Sequence, residues 1–270
     1  MNRILLEPEE LQTDGTVTLD DDRAAHIRQV LHAQAGQTVR TGWINGRMGT
    51  SRLLEVSEHH MRLLPDHTQE TPLPWFDLLL AMPRPKVLKR LWPQLAALGV
   101  GRVVLLNANK VEKFYFSSQW VDLAYYRPLL VEGLTQAGLT RLPEVLVRAR
   151  FKPFVEDELD ALFPQTHRLL AHPGPRGLRP QAAGGEARPL LAVGPEGGWT
   201  DYELKMLAAR GFQLFSLGER TLRTDTACIA LISVLEWWKS GCEASQRVPE
   251  WSPGGGVKAP KDSSTVPCYR

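Results

Sequence analysis

Two glycine-rich segments in the last third of the chain combine residue types suited to holding a small polar molecule. The first covers residues 194–199 and consists of Gly194, Pro195, Glu196, Gly197, Gly198 and Trp199. The second covers residues 217–227 and includes Leu217, Gly218, Arg220, Leu222, Arg223, Thr224 and Ala227. Each segment follows an apolar, strand-like run and precedes a helical pattern. Glycines at such positions expose backbone N–H and C=O groups, so the sequence predicts a ligand cleft at the edge of an α/β sheet.

The first segment matches neither of two common phosphate-binding motifs. A nucleotide P-loop has Lys-Ser/Thr after its glycines, whereas this chain has Trp199 and Thr200. The dinucleotide pattern G-x-G-x-x-G is also not matched. A tight structural turn therefore stays open as an alternative. Glu196 favours a ligand site, because a carboxylate between Pro and Gly is placed to pair with a cationic or amino-bearing ligand.

The second segment places Arg220 and Arg223 at the start of a helix. Cations there oppose the helix dipole, so a carboxylate, phosphate or carbonyl partner explains them better than a structural role. Thr224 and Asp225 suit the N-terminal end of that helix, where capping is the expected role.

The remaining pattern predicts an α/β fold with three parts. Residues 1–70 contain short strands, an Asn45-Gly46 turn and a helix over 22–32, which suggests a small barrel. Residues 71–240 alternate strands and helices, which predicts a mostly parallel sheet covered on both faces. Pro93 predicts a kink or late start in the helix that contains it, and the last helix is expected over 227–238. Residues 175–189 are predicted to be an irregular loop, and 241–270 a disordered tail.

Composition narrows the class of protein. Of 270 residues, 43% are hydrophobic and 23% charged, which is typical of a globular protein. Apolar runs are too short for a spanning helix, and the first residues do not resemble a signal peptide, so a cytoplasmic location without membrane contact is expected. The three cysteines show no metal-ligand spacing, so no metal site is expected. Residues 75–150 carry 11 Lys and Arg against 5 Asp and Glu. This excess of positive charge fits a phosphate-binding surface and equally a solvated helix face.

The two segments closely resemble the cofactor loops of the SPOUT methyltransferases, and within them the family that methylates N3 of a uridine in 16S ribosomal RNA. Residues 222–226, Leu-Arg-Thr-Asp-Thr, are the most specific match. The resemblance implies a PUA-like barrel over 1–70, a SPOUT domain over 71–240 with a C-terminal trefoil knot, a homodimer, and S-adenosylmethionine as cofactor. Residues 107–113 and 136–143 depart from the family pattern, so the target nucleotide is less defined than the cofactor.

The same resemblance assigns roles to individual residues. The implied cofactor-binding residues are Ala171, His172, Gly194, Pro195, Glu196, Gly197, Gly198, Leu217, Gly218, Leu222, Thr224 and Ala227. The expected catalytic residues are Arg223, which would face the uracil carbonyls, together with Arg220 and Glu196. Contacts to ribosomal RNA, free or in the small subunit, are expected from Arg3, Arg28, Arg84, Lys86, Lys89, Arg90, Lys110, Lys113 and Arg141. Methylation of another RNA nucleotide or of transfer RNA, and an inactive RNA-binding homologue, remain the alternatives.

Overall fold

A computed structural model of the protein describes residues 3–174 and 188–243, with side chains to residue 238. Most of the segment expected to be an irregular loop and of the expected tail lies outside these residues. The described strands form two sheets, one of five and one of six strands. Buried side chains form two clusters, one mostly within each sheet, and Leu5 and Ile44 of the first part belong to the cluster of the second sheet.

The first sheet is built from residues 4–69. Its strands are β1 (Ile4–Leu6), β2 (Val17–Leu19), β3 (Thr38–Trp43), β4 (Met48–Val56) and β5 (Met61–Gln69), in the order β1-β3-β4-β5-β2. Helix α1 (Asp22–Gln29) begins after Asp21, whose side chain accepts a hydrogen bond from the Arg23 N–H. Leu6, Ile27 and Leu53 are fully buried in its core. The assignment of this part to the PUA-like class stays a prediction.

The second sheet is parallel throughout, as the alternation of strands and helices predicted. It contains β6 (Phe76–Ala81), β7 (Val100–Leu106), β8 (Glu144–Arg148), β9 (His167–Ala171), β10 (Pro189–Val193) and β11 (Gln213–Phe215). The spatial order is β11-β9-β10-β6-β7-β8. Every residue of β6 is buried, which is typical of a strand covered on both faces. Because the strands are parallel, the carboxyl ends of β9, β10 and β11 lie at one edge.

Helices cover this sheet. They are α2 (Pro85–Ala97), α3 (Leu123–Ala137), α4 (Phe151–Pro153), α5 (Leu159–Leu162), α6 (Asp201–Ala209) and α7 (Thr224–Glu243), with a π-helical segment (Phe154–Glu158) between α4 and α5. Helix α6 begins with a capping box formed by Thr200 and Glu203. In the described part of the chain, no helix combines the length and apolar character needed to cross a membrane.

Pro93 predicted a kink or a late start, and of these two alternatives the late start is wrong: helix α2 begins at Pro85, since proline is tolerated in a first turn, and it continues through Pro93. The predicted start of the last helix is also wrong. Helix α7 begins at Thr224, three residues before the predicted start. The Pro93 region is where α3 packs against α2. A Cβ atom on Gly133 would lie 2.0 Å from the Pro93 carbonyl oxygen, so only glycine allows this approach.

Candidate cofactor cleft and RNA surface

A cleft opens where β9, β10 and β11 end, and both glycine-rich segments line it. Its empty volume is about 630 Å³, counting space open to solvent. That volume is in the range of small-molecule sites. The predicted residues that line it are Ala171, His172, Gly194, Pro195, Glu196, Gly198, Leu217, Gly218, Arg220, Leu222, Thr224 and Ala227. The fold brings these residues together from segments that are up to 56 residues apart (171 to 227).

Six further lining residues were not predicted. They are Pro173, Val193, Trp199, Phe215, Thr221 and Leu231. Val193 and Phe215 are the last residues of β10 and β11, so strand ends were the signal that could have identified them. The sequence analysis gave Trp199 no role in the site beyond its mismatch to the P-loop motif.

Two predicted site residues are not among the residues that line the cleft. Gly197 is exposed and faces Lys110: its carbonyl accepts a 2.8 Å hydrogen bond from Lys110 Nζ. A Cβ atom there would lie 2.9 Å from Lys110 Cδ. The Arg223 side chain is 73% exposed, and the residue immediately precedes α7. Both belong to the loops of the site without contributing to its lining.

The loop backbone is fixed in conformations that glycine adopts readily. Gly198 has a φ of 72° and Gly218 a φ of 117°. Ser216 Oγ accepts a 3.0 Å hydrogen bond from the Gly218 N–H, and the Gly218 carbonyl accepts one of 3.2 Å from the Gly174 N–H. The bond from Gly174 to Gly218 joins the segment after β9 to the segment after β11, so a hydrogen bond connects two walls of the cleft.

Two ring nitrogens at the cleft lack a protein partner among the described residues. They are Trp199 Nε1 and His172 Nδ1, and both atoms are buried. Trp199 is 4% exposed, and Gly194 lies so close that a Cβ atom there would be 3.0 Å from Trp199 Nε1. Buried polar groups are normally satisfied, so these nitrogens are available to a ligand. Glycine backbone, apolar walls and unpaired nitrogens together suit a flat polar cofactor.

Glu196 has a protein partner that the sequence did not indicate. Its Oε1 accepts a 3.2 Å hydrogen bond from the backbone N–H of Arg84, the N-cap residue of α2. A carboxylate at a helix N-terminus is favourable because its negative charge lies at the positive end of the helix dipole. Glu196 therefore joins the first glycine segment to α2 while it lines the cleft.

Arg223 and Asp225 form a charged group with Arg90 beside the second segment. The Arg223 carbonyl accepts the Ala227 N–H at 2.7 Å, which makes Arg223 the N-cap residue of α7. Asp225 Oδ2 accepts a 2.7 Å hydrogen bond from Arg90 Nη2, and Arg223 Nε lies 3.9 Å from Asp225 Oδ1. The hydrogen bond from Arg90 is the main reason that the pKa of Asp225 lies below its usual range. Asp225 thus pairs with arginines in addition to its place in the first helical turn.

The residues expected to contact RNA differ in whether their side chains are exposed or already bonded within the protein. Arg84, Lys86 and Lys113 are exposed. Lys89 is also exposed, with its Nζ 4.7 Å from the centre of the Trp120 ring.

Arg3 and Arg28 instead donate hydrogen bonds to backbone carbonyls. Arg3 donates to Thr41, Gly49 and Gly138, and Arg28 donates to Ser57 and Glu58. Arg141 is half-buried, with a buried Nε that has no partner among the described residues. Arg3 ties the first sheet to the end of α3, a structural role that the sequence did not indicate.

The chain is similar to known proteins over most of its length. Residues 69–236 match the family model of the RNA methyltransferase domain. Ribosomal RNA small subunit methyltransferase E of Treponema pallidum is 30% identical over 241 residues, which cover 87% of this chain and 90% of that protein. The protein of the same name from Synechocystis sp. is 27% identical, with 83% and 74% covered.

A solved structure shares the fold. Ribosomal RNA small subunit methyltransferase E of Neisseria gonorrhoeae, crystallised with S-adenosylmethionine, is 23% identical with a TM-score of 0.68, and 88% of this chain and 98% of that chain are covered. A match of that kind supports the two-sheet architecture. Together with the family model and the Treponema relative, it leaves one conclusion: the chain belongs to the RNA methyltransferase domain family.

Proposed function

We propose that the chain transfers a methyl group from S-adenosylmethionine to N3 of a uridine in small-subunit ribosomal RNA. The observation that carries this proposal is the cleft at the carboxyl ends of β9, β10 and β11, into which both glycine-rich segments converge. Membership of the RNA methyltransferase family and relatives named for the small ribosomal subunit support the substrate class. The Leu-Arg-Thr-Asp-Thr phrase over 222–226 supports the uridine-N3 specificity.

Backbone groups hold the cofactor in this proposal. Residues 194–198 and 217–222 supply N–H and C=O groups, and Trp199 Nε1 supplies a buried donor. Ala227 and Leu231 on α7 form an apolar wall. When bound, S-adenosylmethionine supplies a methyl group on a positively charged sulfur. The fixed φ angles of Gly198 and Gly218 pre-form this site and so reduce the entropy cost of binding.

The arginines of the second segment act on the substrate. The N3 atom of uracil carries a proton at neutral pH, and its loss places negative charge on the two carbonyl oxygens. Arg223, exposed at the start of α7, and Arg220, at the cleft wall, place guanidinium groups against that charge. Asp225 and Arg90 orient Arg223. The pairing edge of the uracil is accessible only in an unpaired or extruded nucleotide, so such a nucleotide is the substrate.

Exposed cations beside the cleft contact the RNA backbone. Arg84, Lys86 and Lys113 form this surface, whereas Arg3 and Arg28 are left out because backbone carbonyls already engage them. A PUA-like first unit, a trefoil knot in the last third, a homodimer and a cytoplasmic location complete the proposal. These features rest on the family resemblance.

The test is to map modified nucleosides by mass spectrometry in ribosomal RNA from cells with and without this protein. We expect one N3-methyluridine in small-subunit RNA that disappears without the protein and returns when purified protein and S-adenosylmethionine are added. A methyl group restored at another atom or in transfer RNA would replace the proposed substrate. Cofactor titration without any methyl transfer would point to an inactive homologue.

A further inference from the structure

A second cavity opens at the same edge of the sheet, next to the cofactor cleft. It lies where β7 ends and where α4 and α6 begin. Its walls come from residues 107–113, from the start of α4 and from the start of α6. The side chains important for its chemistry are Asn107, Lys113, Lys152 and Tyr202. Of these, only Lys113 was expected to contact RNA.

Hydrogen bonds to Glu203 connect two of the segments that form the wall of the cavity. The buried Glu203 carboxylate accepts a 2.7 Å hydrogen bond from the Asn109 N–H and one of 2.8 Å from the Thr200 N–H. It therefore binds the loop after β7 to the first turn of α6. Glu203 keeps its negative charge, and with Lys113 and Lys152 the side chains that line the cavity carry a formal net charge of +1.

The polar groups of the wall suit a nucleotide. The ammonium groups of Lys113 and Lys152 are exposed, and the nearest recorded acidic partner of Lys152 is Glu156 Oε1 at 3.7 Å. Asn107 donates from Nδ2 to the Ala149 carbonyl at 3.1 Å, which fixes its amide orientation. Asn107 Oδ1 is then a buried acceptor without a donor among the described residues. Lysines recognise phosphate, and an amide oxygen accepts from the amino or imino groups of bases.

Tyr202 adds an aromatic face. Its side chain is 55% exposed although it lines the cavity. Proteins that bind single-stranded RNA stack unpaired bases on such exposed aromatic rings, while basic side chains follow the backbone. Tyr202 therefore provides an aromatic ring for base stacking, and Lys113 and Lys152 provide cations for the phosphates.

Contacts connect this cavity to the cofactor cleft. Phe151 lines the cavity and Trp199 lines the cleft, and their ring centroids are 6.0 Å apart. Lys110 Nζ donates to the Gly197 carbonyl, which joins the loop after β7 to the first glycine segment. The two spaces share no lining residue, so a base in this cavity is not the one at the methyl group.

We infer that this cavity binds an unpaired RNA nucleotide that flanks the methylated uridine, with its base stacked on Tyr202 and its phosphates at Lys113 and Lys152. The inference rests on the proposed function, because it takes the substrate to be single-stranded RNA that enters the neighbouring cleft. It makes Tyr202 a residue that positions the RNA beside the target without selecting a particular base, since every base offers a stacking face.

The test uses full-length protein and unmodified, in vitro transcribed small-subunit ribosomal RNA. RNA affinity and methyl transfer are measured for wild type, Tyr202→Ala, Tyr202→Phe and the control Tyr125→Ala, since Tyr125 is an exposed tyrosine (46%) elsewhere, in α3. We expect Tyr202→Ala to weaken RNA affinity and raise KM by about tenfold or more, with kcat changed little. Tyr202→Phe keeps the stacking face and should resemble wild type, as should Tyr125→Ala.

The lysines give a second, independent measurement. The double variant Lys113→Ala, Lys152→Ala should lower the slope of log affinity against log salt by about 1.4, or about 0.7 for each lost contact with a single strand. Lys205→Ala, an exposed lysine of α6 that is not among the cavity's lining residues, is the matched control. Affinity for S-adenosylmethionine should be unchanged in every variant, which also verifies folding.

The outcomes separate the two proposals. Wild-type methylation with unchanged KM and RNA affinity in Tyr202→Ala would overturn the flanking-nucleotide site and leave the proposed function standing. If wild type binds the RNA without methylating it, weaker binding by Tyr202→Ala would uphold the cavity while the proposed function fails. A wild-type protein that does not bind this RNA would overturn the cavity assignment.

Discussion

The two edges of the parallel sheet are built in opposite ways. At the amino edge, charged side chains pair with one another: buried Asp77 accepts a 2.7 Å hydrogen bond from the Arg102 N–H and pairs with Arg188, and Arg102 Nε pairs with Glu144 at 2.7 Å. At the carboxyl edge, the cleft is lined largely by glycine backbone and apolar side chains. The amino edge is held together by paired charges, whereas the cleft at the carboxyl edge offers a ligand backbone groups and two nitrogens unpaired among the described residues, Trp199 Nε1 and His172 Nδ1. Substitutions at the two edges should therefore affect different measurements.

The largest effect is expected for Arg223 at the carboxyl edge. Arg223→Ala should reduce kcat by about 100- to 1000-fold, because it removes a cation that stabilises charge developing on the uracil. Affinity for S-adenosylmethionine should change little, since the side chain is 73% exposed outside the cleft wall. Single-turnover methylation and cofactor titration measure the two effects separately. Near wild-type turnover in Arg223→Ala would make Arg223 only the N-cap residue of α7, whereas partial recovery in Arg223→Lys would support a role for its charge.

The next effect concerns cofactor binding. Ala227 lines the cleft from α7, so Ala227→Leu should push added methyl groups into the space that the cofactor occupies. Overpacking of this kind costs about 1–3 kcal/mol, which corresponds to roughly tenfold to hundredfold weaker binding of S-adenosylmethionine. Ala230→Leu is the matched control, because Ala230 is on the same helix and is not among the lining residues. Equal affinities for the two variants in isothermal titration would place the cofactor elsewhere.

A smaller effect on stability is expected at the amino edge. Arg188→Ala leaves the Asp77 carboxylate, 7% exposed, without its ion-pair partner. Because Arg188 is 36% exposed, we expect a loss of about 1–2 kcal/mol in the free energy of unfolding at neutral pH, below the value for a fully buried pair. Cofactor affinity should be unchanged. Arg47→Ala removes an exposed pair with Glu70 and is the control, with an expected change within about 0.5 kcal/mol.

The pH dependence of this loss tests its cause. Burial raises the pKa of Asp77 above its usual range despite the nearby arginines. The folded state therefore holds this proton more tightly than the unfolded state, and ionisation of Asp77 lowers stability as pH rises between the unfolded and folded pKa values. Removing Arg188 raises the folded pKa further. Urea unfolding should show a deficit that is small near pH 4 and grows toward neutral pH; a deficit independent of pH would mean that Arg188 acts through packing.

The same comparison shows what sequence reasoning could reach. The glycine segments and the Thr200–Glu203 capping box are local patterns, and the cleft lining and helix α6 follow from them. The partners of charged residues are set by which strands and helices become neighbours. The Arg90–Asp225 pair spans 135 residues and Arg84–Glu196 spans 112, so no local pattern indicates them. Pro93 shows the same limit, because local rules disfavour proline inside a helix and α2 nevertheless continues through it.

The smallest effect separates two neighbouring cations on α2. Lys86 is exposed and has no recorded partner among the described residues, whereas Arg90 donates to Asp225 at 2.7 Å. Lys86→Ala should weaken RNA binding evenly across sequences and lower the slope of log affinity against log salt by about 0.7–0.9, the value for one phosphate contact.

Arg90→Ala should leave that slope nearly unchanged, since the charge of Arg90 is already paired with Asp225. It should raise the pKa of Asp225 and weaken the positioning of the Arg223 side chain. Its consequence is then a lower kcat with little change in RNA affinity. RNA affinity across a salt series, with turnover at saturating RNA, measures both variants. Equal slopes for Lys86→Ala and wild type would remove α2 from the RNA surface, and the contacts would then have to come from residues 107–113.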